Sequence, residues 1–160
     1  MPHEQQNIIH EIRDLRMILR VQYILLLVFI AAVILYVYLG HNHIYEDSYM
    51  LSLRLTILNS GLFILFFVIS FFTKRHILQT LKQKLKIELS DVKKYRNLYY
   101  FRAALFETVC MFSILIFLFW GVSYSLIPAL VSVLLLKMYY PSTSKVSEEI
   151  NLNDINLTDR

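Results

Sequence analysis

The sequence predicts an all-α integral membrane protein, a four-helix bundle whose helices extend into the cytoplasm and whose termini both lie on that side. Three observations predict it: apolar residues gather into blocks of about 20, basic residues gather between the blocks, and tyrosines gather at their ends. As a helix, such a block crosses the roughly 30 Å of hydrocarbon in a bilayer. Of the 160 residues, 57% are hydrophobic, and the chain contains only three Gly and three Pro.

The first two spans are predicted over residues 21–39 and 50–73. The first block carries no charge and exceeds the roughly 7–15 residues of a signal-peptide core. No small-residue cleavage pattern follows it, so we expect it to stay as an anchor. Upstream, apolar residues at helical spacing predict an amphipathic helix that either lies on the membrane or extends the bundle into water. These residues are Ile8, Ile9, Ile12, Leu15 and Leu19.

Residues 74–100 predict a cytoplasmic helical hairpin that prolongs the second and third spans. Ser90 is the expected N-cap of a helix that starts near Asp91, because its hydroxyl can accept a hydrogen bond from a free N–H of the first turn. The hairpin also carries a basic patch that suits anionic lipid headgroups, each charge contributing about 1 kcal/mol near the surface. Under the simpler interpretation, the basic patch only keeps the hairpin on the cytoplasmic side. The patch consists of Lys82, Lys84, Lys86, Lys93, Lys94 and Arg96.

Residues 103–136 form an apolar tract, broken only by Glu107, that is too long for one ordinary span. A turn at residues 120–124 divides it into a third span over 101–120 and a fourth over 123–140. Pro128 then falls near the first turn of the fourth helix, where its missing N–H does least harm. The alternative is one steeply tilted helix, which would place the C-terminal tail on the outside.

The basic residues and the tyrosines predict the same topology independently. With both termini inside, 15 of the 16 Lys and Arg residues are cytoplasmic, as the positive-inside rule expects. All eleven tyrosines then fall near a membrane boundary, which suits an aromatic ring with a wet hydroxyl. This architecture is similar to that of many small bacterial membrane proteins, and the likeness implies a multi-pass inner-membrane location but no substrate.

The domain organisation follows from these segments. We expect one transmembrane domain over residues 1–140 and a polar cytoplasmic tail over residues 141–160. Part of the tail is expected to be disordered, although its apolar side chains can dock back onto the protein. Those side chains are Val146, Ile150 and Leu152.

Three polar residues inside the predicted spans are the candidate site residues, because polar groups in hydrocarbon are costly. Glu107 pairs with a cation on a neighbouring helix, such as Arg102 or Lys137, or else forms a proton or cation site. Asn59 bonds across helices or binds a solute. Arg54 reaches the headgroups with its long side chain, forms a structural pair, or takes part in transport.

The sequence offers little for metal or covalent chemistry. His41 and His43, with Glu46 and Asp47, form a weak candidate metal site in a loop whose better interpretation is simple solvation. Cys110 is the single cysteine, so no intrachain disulfide forms. Gly is too sparse for a phosphate-cradling turn, and the sequence carries no G-x-S-x-G, H-E-x-x-H or P-loop signature. We therefore expect no enzyme, no cofactor and no metal.

The leading functional hypothesis is a non-enzymatic accessory or structural subunit of a membrane assembly. Its partners are the lipid bilayer and a second protein or a further copy of itself, bound through membrane and cytoplasmic helices; nucleic acid is not expected. The alternative is a small oligomeric channel or transporter that uses Glu107 and Asn59. A third hypothesis, a membrane enzyme acting on lipid, would need a polar cluster at one boundary.

Overall fold

The chain is helical, which confirms the predicted fold class at that level. The computed structural model describes residues 2–39, 49–84 and 88–149, and within these stretches the chain forms helices and turns without any β-strand. The elements are α1 (Pro2–Tyr38), α2 (Tyr49–Lys82), α3 (Leu89–Trp120), the 3-10 turn η1 (Ser123–Ser125), α4 (Leu126–Met138) and α5 (Thr143–Glu149).

The helices α1, α2 and α3 are long and apolar enough to cross a membrane, and the apolar segment Ser123–Met138 is shorter. With 37, 34 and 32 residues, the three long helices measure about 56, 51 and 48 Å at 1.5 Å per residue. Each therefore exceeds the roughly 30 Å of a hydrocarbon core by several turns. The excess lies where the basic residues are, and we call this part of the bundle the basic end: residues 2–20, 74–84, 88–102 and 137–149.

The central helix is α3, which packs against α1, α2 and α4. In its most apolar stretch 44% of the residues are buried, against 17% in α1 and 11% in α2. The two other long helices therefore place one face on α3 and leave the remainder exposed. Large apolar side chains cover that remainder, such as Leu25 at 62% and Ile57 at 64% exposure.

Two apolar cores hold the bundle together. One lies at the basic end and is formed by Ile8, Ile12, Leu15, Leu81, Val92, Tyr95, Tyr99 and Val146. The other lies between the apolar stretches and is formed by Leu26, Ile30, Val33, Cys110, Ile114, Phe117, Ala129 and Val133. The amphipathic N-terminal segment thus continues α1 without a break and extends the bundle, rather than lying apart from it.

The long apolar tract is divided at Gly121. This residue follows α3 in the left-handed conformation, with φ 71°, and its N–H donates to the carbonyl of Phe117 at 2.9 Å. Such a cap satisfies a carbonyl at the helix end and favours glycine, which has no Cβ to clash. A single helix over residues 103–136 is therefore not formed. Pro128 lies in the first turn of α4.

The predicted N-cap at Ser90 is wrong. The N-cap of α3 is Glu88, and Ser90 lies inside the first turn. Asp91 explains the shift, because its carboxylate accepts a hydrogen bond from the Glu88 N–H at 3.3 Å and takes the Lys84 ammonium at 2.6 Å. These contacts fix the helix start two residues earlier than the Ser90 hydroxyl would.

The first part of the C-terminal tail is helical and docked. Val146 in α5 is fully buried in the core of the basic end. Ile150 and Leu152, the other apolar residues expected to dock, lie outside the described residues.

Candidate functional site

A cavity of about 470 Å³ lies between α1, α3 and α4 at the basic end. Its wall combines charge, aromatic hydroxyls and apolar surface. The charged residues that line it are Arg20, Arg102, Lys137 and Glu107. The tyrosines are Tyr23, Tyr99, Tyr139 and Tyr140, and most of the remaining wall is apolar.

Arg102 is the deepest charge in this wall, only 3% exposed. Its Nε donates to the Ser70 hydroxyl at 2.8 Å, and its guanidinium lies 3.9 Å from the centre of the Tyr139 ring. Its Nη1 is buried without a hydrogen-bond partner among the described residues, which also provide no carboxylate to pair with it. The Glu149 carboxylate attracts Arg102 from beyond ion-pair distance. Without a directly paired carboxylate, this buried charge still favours an anion.

Glu107 lines the same cavity and is partly buried. The ion pair expected with Arg102 or Lys137 is not formed, although both cations line the cavity with it. The reason is that Arg102 turns to Ser70 on α2 and stacks on Tyr139, while Lys137 is exposed. In the described part of the chain, no hydrogen bond or ion pair engages the Glu107 carboxylate.

Asn59 lies elsewhere, fully buried where α2, α3 and η1 meet. Its amide nitrogen is 3.0 Å from the Ser113 hydroxyl, and its amide oxygen is 3.1 Å from the same hydroxyl. The amide nitrogen also lies 3.4 Å from the carbonyl of Ser125, whose hydroxyl is 2.9 Å from the carbonyl of Ser113. These bonds tie three elements together and leave Asn59 outside the cavity wall.

Of the remaining candidates, the structure describes Arg54 but not the histidines of the predicted metal site. Arg54 is exposed on α2 and does not line the cavity. The predicted metal candidates His41 and His43, with Glu46 and Asp47, lie outside the described residues. Across the three described stretches, no group of three or more His, Cys, Asp or Glu residues is placed to hold a metal ion.

The predicted basic patch is only partly free to bind lipid. Lys84 pairs with the buried Asp91, Lys94 lies 4.0 Å from the same carboxylate, and Arg96 pairs with Glu11 of α1. Lys82 and Lys93 are exposed. Lys86 lies outside the described residues. Part of the positive charge thus serves to hold the helices of the basic end together.

Sequence reasoning missed Glu149, whose carboxylate makes more hydrogen bonds to side chains than any other among the described residues. It accepts hydrogen bonds from Lys74 at 2.7 Å, from Tyr95 at 2.8 Å and from Tyr99 at 2.9 Å. Burial alone would raise the pKa of this carboxyl, but the bonds from Lys74 and Tyr95 outweigh it and hold the pKa below its ordinary value. The only sequence signal was the spacing of the two tyrosines, which puts both hydroxyls on one face of α3.

Among the described residues, the cavity wall brings Glu107 together with Arg20, Arg102 and Lys137. Asp91 brings together Lys84 and Lys94 of the basic patch. Asn59 belongs to an interhelical hydrogen-bond set, and Arg54 belongs to an exposed face. Comparisons with protein-family models, with curated proteins and with solved structures find no match to this chain.

Proposed function

We propose that this protein is a non-enzymatic interaction subunit of a membrane assembly, with four spans and both termini in the cytoplasm. In this proposal the apolar stretches of α1, α2 and α3, with the segment Ser123–Met138, cross the bilayer. The basic end then forms a folded cytoplasmic extension, which a partner protein binds.

The exposed apolar surface supports membrane insertion. Only 11% of the most apolar stretch of α2 is buried, so few of its side chains are enclosed by protein. In water such a surface would associate non-specifically, whereas in a bilayer it needs no further cover. The basic residues cluster at one end, as expected for the cytoplasmic side.

The core of the basic end is the observation that carries the interaction hypothesis. Side chains from α1, α2, α3 and α5 pack there, including Leu15, Leu81 and Val146, each at most 2% exposed. Segments that only set topology need no packed core. A folded extension of three long helices and a docked C-terminal helix instead offers a rigid surface, which lowers the entropic cost of binding a partner.

The positions of the polar residues do not favour the channel or transporter alternative. A conduction path through the bundle would place Glu107, Asn59 and Arg54 along one cavity. Glu107 lines the cavity at the basic end. The Asn59 amide is hydrogen-bonded to Ser113 and Ser125, and Arg54 is exposed. The three polar groups therefore lie in different surroundings and do not line one path.

The topology is tested by labelling single cysteines in a Cys110→Ala background with a membrane-impermeant maleimide. We expect Asn42→Cys to react in intact cells, and Gln79→Cys, on the exposed surface of α2, to react only after the membrane is opened. Reaction of Gln79→Cys in intact cells would overturn the orientation. Recovery of the protein in the soluble fraction without detergent would overturn membrane insertion.

The partner is tested by placing a photo-crosslinking amino acid at exposed positions in living cells. Gln79 and Lys93 sample the cytoplasmic extension, and Leu25 on the apolar surface of α1 is the matched control. We expect a discrete protein adduct of reproducible mass from Gln79 or Lys93 and none of that mass from Leu25. Absence of any discrete adduct from several exposed positions of the extension would contradict the proposal.

A further inference from the structure

We infer that the cavity at the basic end binds the headgroup of an anionic phospholipid, with Arg102 as its central anion-binding residue. The inference rests on the proposed membrane insertion, because it places the cavity at the headgroup level of the cytoplasmic leaflet. It adds a specific lipid site to a protein whose proposed role is interaction with another protein.

The state of Arg102 is the first step. Its guanidinium is buried, held on one side by Ser70 and on one face by the Tyr139 ring, and its Nη1 has no hydrogen-bond partner in the described part of the chain. The hydrogen bond to Ser70 and the Tyr139 ring together fix the plane of the guanidinium. A guanidinium fixed in this way, with no carboxylate of the described residues within 4.0 Å, suits the oxygens of a phosphate, which it can bind through two parallel N–H donors.

The charge of the whole wall is the second step. Arg20 and Lys137 join Arg102 in lining the cavity, and Glu107 is the single acidic residue there. Three cations against one carboxylate leave an excess of positive charge, which favours a ligand of net negative charge. Glu107 accepts a hydrogen bond from a headgroup that carries hydroxyls, so the wall suits phosphatidylglycerol better than a bare phosphate.

The apolar part of the wall is the third step. Leu19, Ile24, Phe106 and Leu136 line the cavity beside the charges. Ile24 is also 51% exposed on the outside of α1, so the apolar lining continues onto the outer surface of the bundle. A free phosphate gains nothing from these side chains, whereas a lipid places its acyl chains along them. Basic pockets between membrane helices near the cytoplasmic face are known to suit acidic lipid headgroups.

The test measures which lipid stays bound to the full-length protein. The protein is reconstituted into nanodiscs of equal parts phosphatidylglycerol and phosphatidylcholine, transferred into detergent, and examined by native mass spectrometry. We expect one phosphatidylglycerol to be retained in preference to phosphatidylcholine. Arg102→Gln should lower this retention by at least about tenfold, since it removes the central charge.

Two further variants separate loss of the lipid site from other causes. The first tests the cavity without altering Arg102, and the second tests general surface charge. Lys137→Gln removes an exposed cation from the cavity wall, leaves the Arg102 contacts intact, and should lower retention by about fivefold. Arg75→Gln removes an exposed cation of α2 outside the cavity and should leave retention unchanged. Circular dichroism and size exclusion establish that each variant is folded.

Several outcomes would overturn the inference. Equal retention of the two lipids, or the same loss with Arg75→Gln as with Lys137→Gln, would reduce the cavity to general surface electrostatics. Displacement of the lipid by millimolar inorganic phosphate would identify a free-anion site instead. If labelling places the basic end in the cytoplasm but no lipid is selected, the lipid site alone fails; if labelling reverses the orientation, the proposed function fails first.

Discussion

The ammonium of Lys74 lies 2.7 Å from a carboxylate oxygen of Glu149, which joins α2 to α5 across 75 residues of sequence. The hydroxyls of Tyr95 and Tyr99 on α3 donate to the other oxygen. Because the Lys74 and Glu149 side chains are only 23% and 12% exposed, water competes weakly for them. The Glu149 carboxylate therefore links α2, α3 and α5 at the basic end.

Acid should weaken the contacts of the Glu149 carboxylate with Lys74, Tyr95 and Tyr99. The folded-state pKa of Glu149 is below its ordinary value of 4.5, so its stabilising contribution is complete above that value. The contribution is lost as the pH falls through the lower folded-state pKa. We expect the thermal midpoint, followed by circular dichroism in detergent, to fall between pH 6 and pH 3 by more in the wild type than in Glu149→Gln. Glu148→Gln, at the exposed neighbour, should retain the full wild-type pH dependence; an equal response of both variants would contradict this role.

The buried amide of Asn59 should matter for stability. Asn59→Ala removes its contacts with Ser113 and Ser125 and should lower the free energy of unfolding by about 1–2 kcal/mol, the upper range for hydrogen bonds between membrane helices. The measurement is unfolding in mixed micelles as the fraction of denaturing detergent is raised. Ser60→Ala, at the next residue of α2, is the control. Equal effects of the two substitutions would show that the Asn59 contacts contribute nothing of their own.

The two glycines at positions 61 and 121 should respond oppositely to alanine. Gly121→Ala forces a Cβ into the left-handed conformation and should destabilise the protein by about 1–2 kcal/mol. Gly61 lies inside α2 with nothing within 4 Å of an added Cβ, so Gly61→Ala should be neutral or stabilise by up to about 1 kcal/mol. The same micelle unfolding measures both, and a larger loss at Gly61 would contradict the proposed cap.

The start of α3 provides a further test at adjacent positions. Asp91→Ala removes the acceptor of the Glu88 N–H and the partner of Lys84, and should cost about 2 kcal/mol. Ser90→Ala, at an exposed position of the same turn, should change stability by less than about 0.5 kcal/mol. If the Ser90 substitution were the more costly, the helix would begin where the sequence alone predicted.

Helical periodicity and local turn chemistry made much of the fold predictable. Ile8, Ile12 and Leu15 were identified by spacing, and all three are buried. A turn within the long apolar tract was expected at residues 120–124, and Gly121 provides the conformation that ends α3. These features depend on residues that are close in sequence, so a single sequence contains the information.

Contacts between distant residues were less predictable. The composition of the tail did not distinguish Glu149 from its neighbour Glu148, because the difference lies in the partners that α2 and α3 bring to it. Arg102 was identified as a cation near Glu107, but its preference for Ser70 and the Tyr139 ring depends on how α2 and α4 pack on α3. Pairing of Arg96 with Glu11 likewise follows from helix placement.

The central position of α3 has a consequence for evolution. If α2 crosses the bilayer as proposed, a residue on its outside needs only to be apolar, so many replacements are acceptable there, including changes of size. A residue of α3 faces other helices on most of its sides, and each change must suit several neighbours at once. Homologous chains should therefore diverge fastest along α2 and slowest along α3, with lineage-specific changes in α3 accompanied by matching changes in α1 or α4.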